Sequence, residues 1–180
     1  DETRDVIAAA RQIGYPFGSI IELLFMTAQR REEVAAMRWS EVHLDSAVWT
    51  IPASRAKNGK SHDVHLSKCA VGLLRSLPRF VTTANSVSDL VFTTTGETPF
   101  SGFSKAKDRL DTLMLQAMRK RAAEQGRNAD GVSPETWRLH DIRRTVATEL
   151  SKMGVEIHVT EAILNHKSGR ISGVTAVYQR

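Results

Sequence analysis

The side chains with the clearest chemical potential lie between residue 139 and the end of the chain. His140 and Arg143 are three positions apart, so on a helix they share one face with about 5–6 Å between their Cβ atoms. A second histidine, His166, follows, and Tyr178 stands two residues before the last residue. Basic groups and a phenol together could form an anion site with a nucleophile. A basic helix face beside an incidental tyrosine fits this stretch about equally well.

The elements that must position these residues can be predicted from hydrophobic periodicity and turn signals. Apolar residues at helical spacing predict helices over residues 1–14, 17–28, 68–77, 101–124, 141–153 and 157–164, with a short one beginning near residue 31. Strands are predicted over residues 48–51 and 62–66, with a short buried strand over residues 90–92, and a surface loop is predicted over residues 125–135. The fold class predicted is mainly α with a small antiparallel β-sheet.

The dipeptide Asn58-Gly59 predicts a tight hairpin turn between the two longer strands, because both residues accept positive φ. Lys57 and Lys60 would then flank the tip of the hairpin, where either could approach a phosphate backbone. Two solvated lysines at a turn are the simpler interpretation. His62 and His65 fall on opposite faces of the returning strand, so at most one of them can face a bound phosphate.

Composition narrows the class of protein. The 180 residues carry a net charge of +5 and 41% hydrophobic residues, with a pI of about 9.7, which makes a polyanionic partner worth testing. The single cysteine, Cys69, excludes an internal disulfide and fits a reducing compartment. The sequence contains neither the roughly 18 consecutive apolar residues of a membrane span nor a CxxC or HExxH metal motif.

Five motifs occur in an order and spacing that resemble one known family. They are Thr-Ala-Gln-Arg-Arg-Glu-Glu at 27–33, the hairpin with Lys57, His-Asp-Ile-Arg at 140–143, Leu-Asn-His at 164–166, and Tyr178. The chain resembles the catalytic domain of tyrosine recombinases, the phage integrase family, and most of all the prophage and genomic-island integrases of bacteria. One motif departs slightly, because the family usually has glycine where this chain has Asn165.

The resemblance implies an active site with named roles. Arg30 and Arg143 would clamp the scissile phosphate, and His140 and His166 would hydrogen-bond its oxygens. Tyr178 would attack the phosphorus to form a 3′-phosphotyrosyl enzyme. Lys57 would protonate the leaving 5′ oxygen, with Lys60 as the alternative. Glu33 would support the site. Contacts to DNA would come from Arg31, Lys60 and Arg144.

The physical chemistry of phosphodiester cleavage agrees with these roles. Charge builds up on the non-bridging oxygens in the transition state, and fixed cations aimed at those oxygens stabilise it. Family members work without a metal or other cofactor, since the covalent link to the enzyme conserves the energy of the phosphodiester bond. We therefore expect neither a metal site nor a cofactor.

The resemblance also implies the biological setting. Residues 1–180 would form a single catalytic domain, and we expect the family's N-terminal core-binding domain and C-terminal tail to be absent from this chain. The expected activity is integration or excision of a prophage or mobile element at double-stranded attachment sites. Expected partners are four copies of the full-length protein on DNA and accessory DNA-bending proteins, in the bacterial cytoplasm and not at a membrane.

Three other functions remain open from the sequence. A DNA-binding module that has lost catalysis would need only the cations. A metal-dependent hydrolase could be built on His140, His166 and a carboxylate, and its activity would be sensitive to EDTA. A topoisomerase-like relaxase would use the same chemistry as a recombinase.

Overall fold

The computed structural model describes residues 2–166, which form seven α-helices and one three-stranded antiparallel sheet. The helices are α1 (Glu2–Ile13), α2 (Phe17–Thr27), α3 (Arg31–Ala35), α4 (Lys68–Ser76), α5 (Phe103–Glu124), α6 (Leu139–Lys152) and α7 (Ile157–Ile163). The strands are β1 (Val42–His43), β2 (Val48–Ile51) and β3 (His62–His65). The predicted class, mainly α with a small antiparallel sheet, is confirmed. No helix within residues 2–166 is long and apolar enough to cross a membrane.

Helix α2 lies at the centre of the molecule. It packs against α1, α3, α4 and α6, and its apolar residues occupy most of its circumference, the pattern of a helix buried on all sides. Gly18 lets α1 approach closely, because a Cβ atom there would stand only 2.0 Å from the carbonyl oxygen of Ala10. Packing in the core therefore fixes the position of α2. Arg30, the first of the predicted site residues, follows three residues after the end of this helix.

The end of α2 is shaped by a residue in the left-handed region. Ala28 has φ 53° and its N–H donates to the carbonyl of Leu24 at 2.9 Å, which ends the helix. The chain then turns through Gln29, whose side chain is buried, to Arg30 at the start of α3.

The sheet corrects the prediction of a tight hairpin. Strands β2 and β3 pair from Val48 with His65 to Ile51 with His62, so the connection is a loop of residues 52–61 and not a two-residue Asn-Gly turn. Only Gly59 of that dipeptide has positive φ, at 67°. The strands are anchored by Trp49 and Ile51, which are fully buried.

The predicted strand at residues 90–92 is also corrected. Leu90 forms an isolated bridge with Arg38, and the N–H of Val91 donates to the carbonyl of Met37 at 2.9 Å. The segment is buried but is not part of the sheet. Its apolar composition reflects burial, and burial alone does not distinguish a strand from an irregular core segment.

The second half of the chain consists of α5, an exposed connection and α6. Helix α5 packs along α1 and buries Leu110 and Met114. Residues 125–138 form no helix or strand, which confirms the predicted surface loop. Helix α6 packs on α2 and begins at Leu139, two residues before the predicted start.

Candidate active site

A cavity of about 550 Å³ brings together three of the predicted catalytic residues from separate parts of the chain. Arg30 comes from the start of α3, Lys57 from the loop between β2 and β3, and His140 from the first turn of α6. The other residues that line the cavity are Arg31, Glu32, Glu33, Arg55, Arg138 and Leu139. The lining contains five arginine or lysine side chains and two carboxylates, which suits an anionic ligand.

Glu33 holds two cationic segments of this cavity in place. Its buried carboxylate accepts hydrogen bonds from the backbone N–H of Arg30 at 3.1 Å and from Nη1 of the same residue at 3.0 Å. It also accepts a longer bond, 3.4 Å, from the backbone N–H of Lys57. The carboxylate thereby orients the Arg30 guanidinium and draws the β2–β3 loop towards it.

Arg143 is not one of the residues that line the cavity. Only 4% of the residue is exposed, and its guanidinium donates to the carbonyl of Ala28 at 2.5 Å and to the carbonyl of Leu164. These bonds use two of its five N–H groups. Burial, followed by repulsion from Arg30, lowers the pKa of Arg143 to about 10, so the group stays charged at neutral pH.

His166 stands within electrostatic reach of both arginines. Burial is the main cause that lowers its pKa, and the charges of Arg143 and Arg30 lower it further, while Glu161 opposes the shift. The imidazole is therefore mainly neutral at pH 7, where it can donate or accept one hydrogen bond.

The predicted DNA contacts are distributed differently. Arg31 lines the cavity, pairs with Glu32 and lies with its guanidinium 4.8 Å from the centre of the Phe103 ring. Lys60 and Arg144 are exposed and do not line the cavity. Arg144 instead pairs with Asp141 at 3.2 Å on the outer face of α6. Tyr178 lies outside the described residues.

The sequence of residues 1–179 matches the family model of the phage integrase family. The chain belongs to the phage integrase family. Among curated proteins, it is 26% identical over 141 residues to the prophage integrase IntA of Escherichia coli (strain K12). That match covers 78% of this chain and 29% of IntA, so the integrase-family chain spans less than a third of that relative.

Solved structures of recombinases share the fold. XerA recombinase aligns over 100% of this chain and 57% of its own with a TM-score of 0.65 and 23% identity. The catalytic domain of bacteriophage HP1 integrase aligns over 98% of this chain and 84% of its own, with a TM-score of 0.59 and 18% identity. A lambda integrase dimer bound to a COC′ core site aligns over 93% of this chain and 56% of its own, with a TM-score of 0.59 and 19% identity. These similarities confirm the predicted tyrosine recombinase catalytic-domain fold.

Sequence reasoning missed three residues around the site of this integrase-family chain. Arg55 and Arg138 line the cavity, and each stands two positions before a residue that was predicted, Lys57 or His140. That spacing was the available signal, but it does not distinguish a site residue from a surface cation. The third is Gln29, whose Nε2 donates to the carbonyl of Ile163, three residues before His166.

The two missed arginines differ in their pairing. Nε of Arg55 donates to Oε1 of the buried Glu41 at 2.9 Å, so its charge is neutralised within the fold. Within residues 2–166 the guanidinium of Arg138 has no ion pair. Arg138 is therefore the more available of the two for a ligand.

His62 and His65 follow the prediction that at most one faces the site. His65 is exposed, whereas His62 is half-buried and lies close to the backbone of Ile163, to Glu33 and to Arg143. Burial lowers the pKa of His62, with a smaller lowering by Arg143 and opposing effects of the Ile163 backbone, Glu33 and Asp63.

Within residues 2–166, no group of three or more His, Cys, Asp or Glu side chains is arranged to hold a metal ion. A hydrolase centred on His140, His166 and a carboxylate would require such a group. Sensitivity to EDTA is the functional test of that alternative.

Proposed function

We propose that this chain is the catalytic domain of a tyrosine recombinase, which cleaves and rejoins double-stranded DNA through a 3′-phosphotyrosyl intermediate. The single observation that carries the proposal is the basic cavity in which Arg30, Lys57 and His140 meet. Membership of the phage integrase family supports it.

The proposed reaction begins with attack of the Tyr178 oxygen on the scissile phosphorus. The bond to the 5′ oxygen breaks, and that oxygen takes a proton from Lys57 as it leaves. The tyrosine proton passes to a neighbouring base, for which His140 is the candidate. Attack by a 5′ hydroxyl on the phosphotyrosine reverses these steps and rejoins the strand, so no external energy source is needed.

The arginines stabilise the transition state in this proposal. Arg30 is oriented by Glu33, and Arg143 is fixed by two backbone carbonyls. Cations that are already oriented do not need to reorganise as charge develops on the phosphoryl oxygens. A planar guanidinium can contact two of those oxygens at once, which the point charge of lysine cannot do.

The proposed partner is double-stranded DNA. Two of the solved structures that share the fold are a lambda integrase dimer bound to a COC′ core site and XerH recombinase bound to its difH substrate, and the basic cavity of this chain fits the same kind of ligand. We extend the proposal to attachment sites of a prophage or mobile element and to a tetramer of the full-length protein on DNA, with accessory DNA-bending proteins, in the bacterial cytoplasm. Residues 1–180 would act as one catalytic domain.

The test is a covalent-trapping screen that selects the DNA site from a random pool. The chain is incubated with double-stranded oligonucleotides that have randomised cores, each nicked so that cleavage near the nick releases a short fragment and prevents rejoining. Protein-linked DNA is then isolated under denaturing conditions and sequenced. We expect an enriched sequence in an adduct that forms equally well in EDTA and is lost in Tyr178→Phe.

Three outcomes would contradict the proposal. An adduct that survives in Tyr178→Phe would assign the nucleophile to another residue. Enrichment of DNA by binding alone, without an adduct, would make the chain a DNA-binding module. Cleavage that EDTA abolishes would favour the metal-dependent hydrolase.

A further inference from the structure

The backbone that leads into His166 is held by two side chains from distant parts of the sequence. Nε2 of Gln29 donates to the carbonyl of Ile163 at 2.8 Å, and the guanidinium of Arg143 donates to the carbonyl of Leu164. Both donors are buried. The segment is thereby fixed to the central helices α2 and α6.

A third contact connects this segment to the loop that carries Lys57. Nδ2 of Asn58 donates to Oδ1 of Asn165 at 2.6 Å across a sequence separation of 107 residues. Asn58 follows Lys57 directly, and Asn165 directly precedes His166. One side-chain hydrogen bond therefore joins the neighbours of two predicted site residues.

The orientation of both amides follows from a backbone donor. The N–H of Lys60 donates to Oδ1 of Asn58 at 3.1 Å, and a backbone N–H cannot accept. Oδ1 of Asn58 must face Lys60, so its Nδ2 faces Asn165 and requires an acceptor there. Asn58 thus shapes its own loop with one end of the amide and reaches Asn165 with the other.

The backbone at Asn165 explains why its residue type matters. Asn165 has φ 48°, in the left-handed region that favours glycine and, among other residues, asparagine. Glycine, usual in the family at this position, would adopt the same backbone without strain but could not form the contact with Asn58. Asparagine satisfies the backbone and provides the acceptor.

We infer that Asn58 and Asn165 are positioning residues that hold the Lys57 loop at a fixed place relative to His166. The inference rests on the proposed function, in which Lys57 protonates the leaving oxygen. The loop is anchored before Lys57, where Arg55 donates to Glu41 and to the carbonyl of Glu33. The backbone of Lys57 itself has the longer 3.4 Å bond to Glu33, and the residue after it, Asn58, makes the contact with Asn165, so this end of the loop should move when the contact is lost. Loss of the contact should therefore impair protonation of the leaving group.

The experiment compares two leaving groups in single-turnover cleavage of the DNA site recovered by trapping. One substrate has the natural 5′ oxygen, and the other has sulfur at that position, which leaves as a thiolate and needs no proton donor. We expect Asn58→Ala and Asn165→Gly each to slow cleavage of the oxygen substrate by about threefold to tenfold, the factor of one hydrogen bond. The double variant should be no slower than either single variant, and the sulfur substrate should restore the parent rate.

Asn85→Gly provides the matched control. Asn85 also has positive φ, at 59°, but lies in an exposed turn and does not line the cavity. Its replacement should leave both rates unchanged. The inference is overturned if the defects are multiplicative in the double variant, if they persist with the sulfur substrate, or if Asn85→Gly reproduces them.

A second measurement without DNA separates failure of the inference from failure of the proposed function. Hydrogen exchange of the backbone amides in residues 52–61 should become at least about threefold faster in Asn165→Gly, and unchanged in Asn85→Gly. Unchanged exchange in Asn165→Gly would overturn the contact itself. If the parent protein forms no adduct with any DNA, the proposed function fails and the role in leaving-group protonation fails with it, whatever the exchange result.

Discussion

Glu33 orients the Arg30 guanidinium and contacts the backbone of Lys57 in the cavity. It is buried and accepts from Arg30 and from the backbone of Lys57. Replacement by glutamine removes the negative charge from a site where a cation remains. We predict that Glu33→Gln lowers the free energy of unfolding by about 1.5–3 kcal/mol, the range for hydrogen bonds to charged groups, as measured by urea denaturation.

Glu32→Gln is the control for that measurement. Glu32 also lines the cavity and pairs with an arginine, but its side chain is 70% exposed. Because exposed pairs contribute little, the control should stay within about 0.5 kcal/mol of the parent protein. Equal losses in both variants would show that Glu33 has no special role.

His166 should respond to an anion bound in the site. Its pKa is lowered mainly by burial and further by Arg143 and Arg30. A sulfate ion between these cations would offset their repulsion, so we predict that sulfate raises the pKa of His166. NMR titration of the imidazole checks this, with chloride at matched ionic strength as the control. A pKa that responds equally to both salts would reflect screening alone.

The pKa values of His62, in β3, and His166, after α7, also predict how stability varies with pH. Burial is the largest cause that lowers the pKa of His62 and of His166, so the unfolded chain, with a histidine pKa near 6.5, binds protons more readily than the folded chain. Above about pH 6.5 both histidines are neutral in the folded and the unfolded chain and do not reduce stability. The protein loses stability as the pH falls from there through their lower folded-state pKa values.

We therefore predict that the urea concentration at the unfolding midpoint decreases when the pH is lowered from 7.5 to 5.5. The variant His62→Asn should show a smaller decrease. The exposed His43 provides the control, because His43→Asn should keep the dependence of the parent protein. The carboxylates of Asp89 and Asp141 have lowered pKa values and titrate below this window. A midpoint that does not change between the two pH values would contradict the prediction.

At the scale of the elements, the contact between α1 and α2 supports the start of the site. Gly18 is the point of closest approach, because a Cβ atom there would overlap the backbone of Ala10. We predict that Gly18→Ala lowers the free energy of unfolding by about 3 kcal/mol or more, since backbone must move to accommodate it. Chemical denaturation measures the change.

The matched control is Gly72→Ala in the exposed part of α4. No atom lies within 4 Å of a Cβ atom built at Gly72, so alanine should stabilise the protein by about 0.5–1 kcal/mol through helix propensity alone. Opposite signs for the same substitution in two helices would isolate the packing effect. A loss smaller than about 1 kcal/mol in Gly18→Ala would show that α1 can shift without cost.

The elements also show what the sequence can and cannot predict. The helices were placed within a few residues because apolar spacing reports burial along one face. The Asn-Gly signal was misleading because the pairing of Ile51 with His62 leaves a ten-residue loop, and Asn58 turns its amide towards Asn165 instead of forming a two-residue turn. Contacts of this kind join residues far apart in sequence, and local patterns contain no information about them.

Site residues follow the same division. Arg30, Lys57 and His140 were predicted from motifs and do line one cavity. The burial of Arg143 and its bonds to Ala28 and Leu164 could not be predicted, because they depend on how α2, α6 and α7 pack. The catalytic roles themselves remain predictions until cleavage is measured.

At the scale of the whole molecule, the net charge of +5 should make DNA binding depend on salt. In a plot of the logarithm of the binding constant against the logarithm of the salt concentration, each phosphate contact is expected to contribute about −0.9 to the slope. We predict that Arg138→Ala reduces this slope by about 0.9, since Arg138 lines the cavity. Fluorescence anisotropy with the trapped DNA site at several salt concentrations measures the slope.

Lys120→Ala is the control for charge alone. Lys120 is 80% exposed on α5 and does not line the cavity, yet its removal changes the net charge by the same amount. The slope should remain that of the parent protein. Equal reductions in the two variants would mean that overall charge, and not a contact from Arg138, governs binding.

The exposed connection over residues 125–138 divides the proposed site between two lengths of chain. Arg30, Glu33 and Lys57 precede it, whereas His140, Arg143 and His166 follow it. Two separately expressed polypeptides, broken near Gly131, would each hold three of these six residues and a partner surface on α2 or α6. Neither fragment could cleave DNA alone, so strand cleavage would report that the two had associated, as in a split-enzyme sensor.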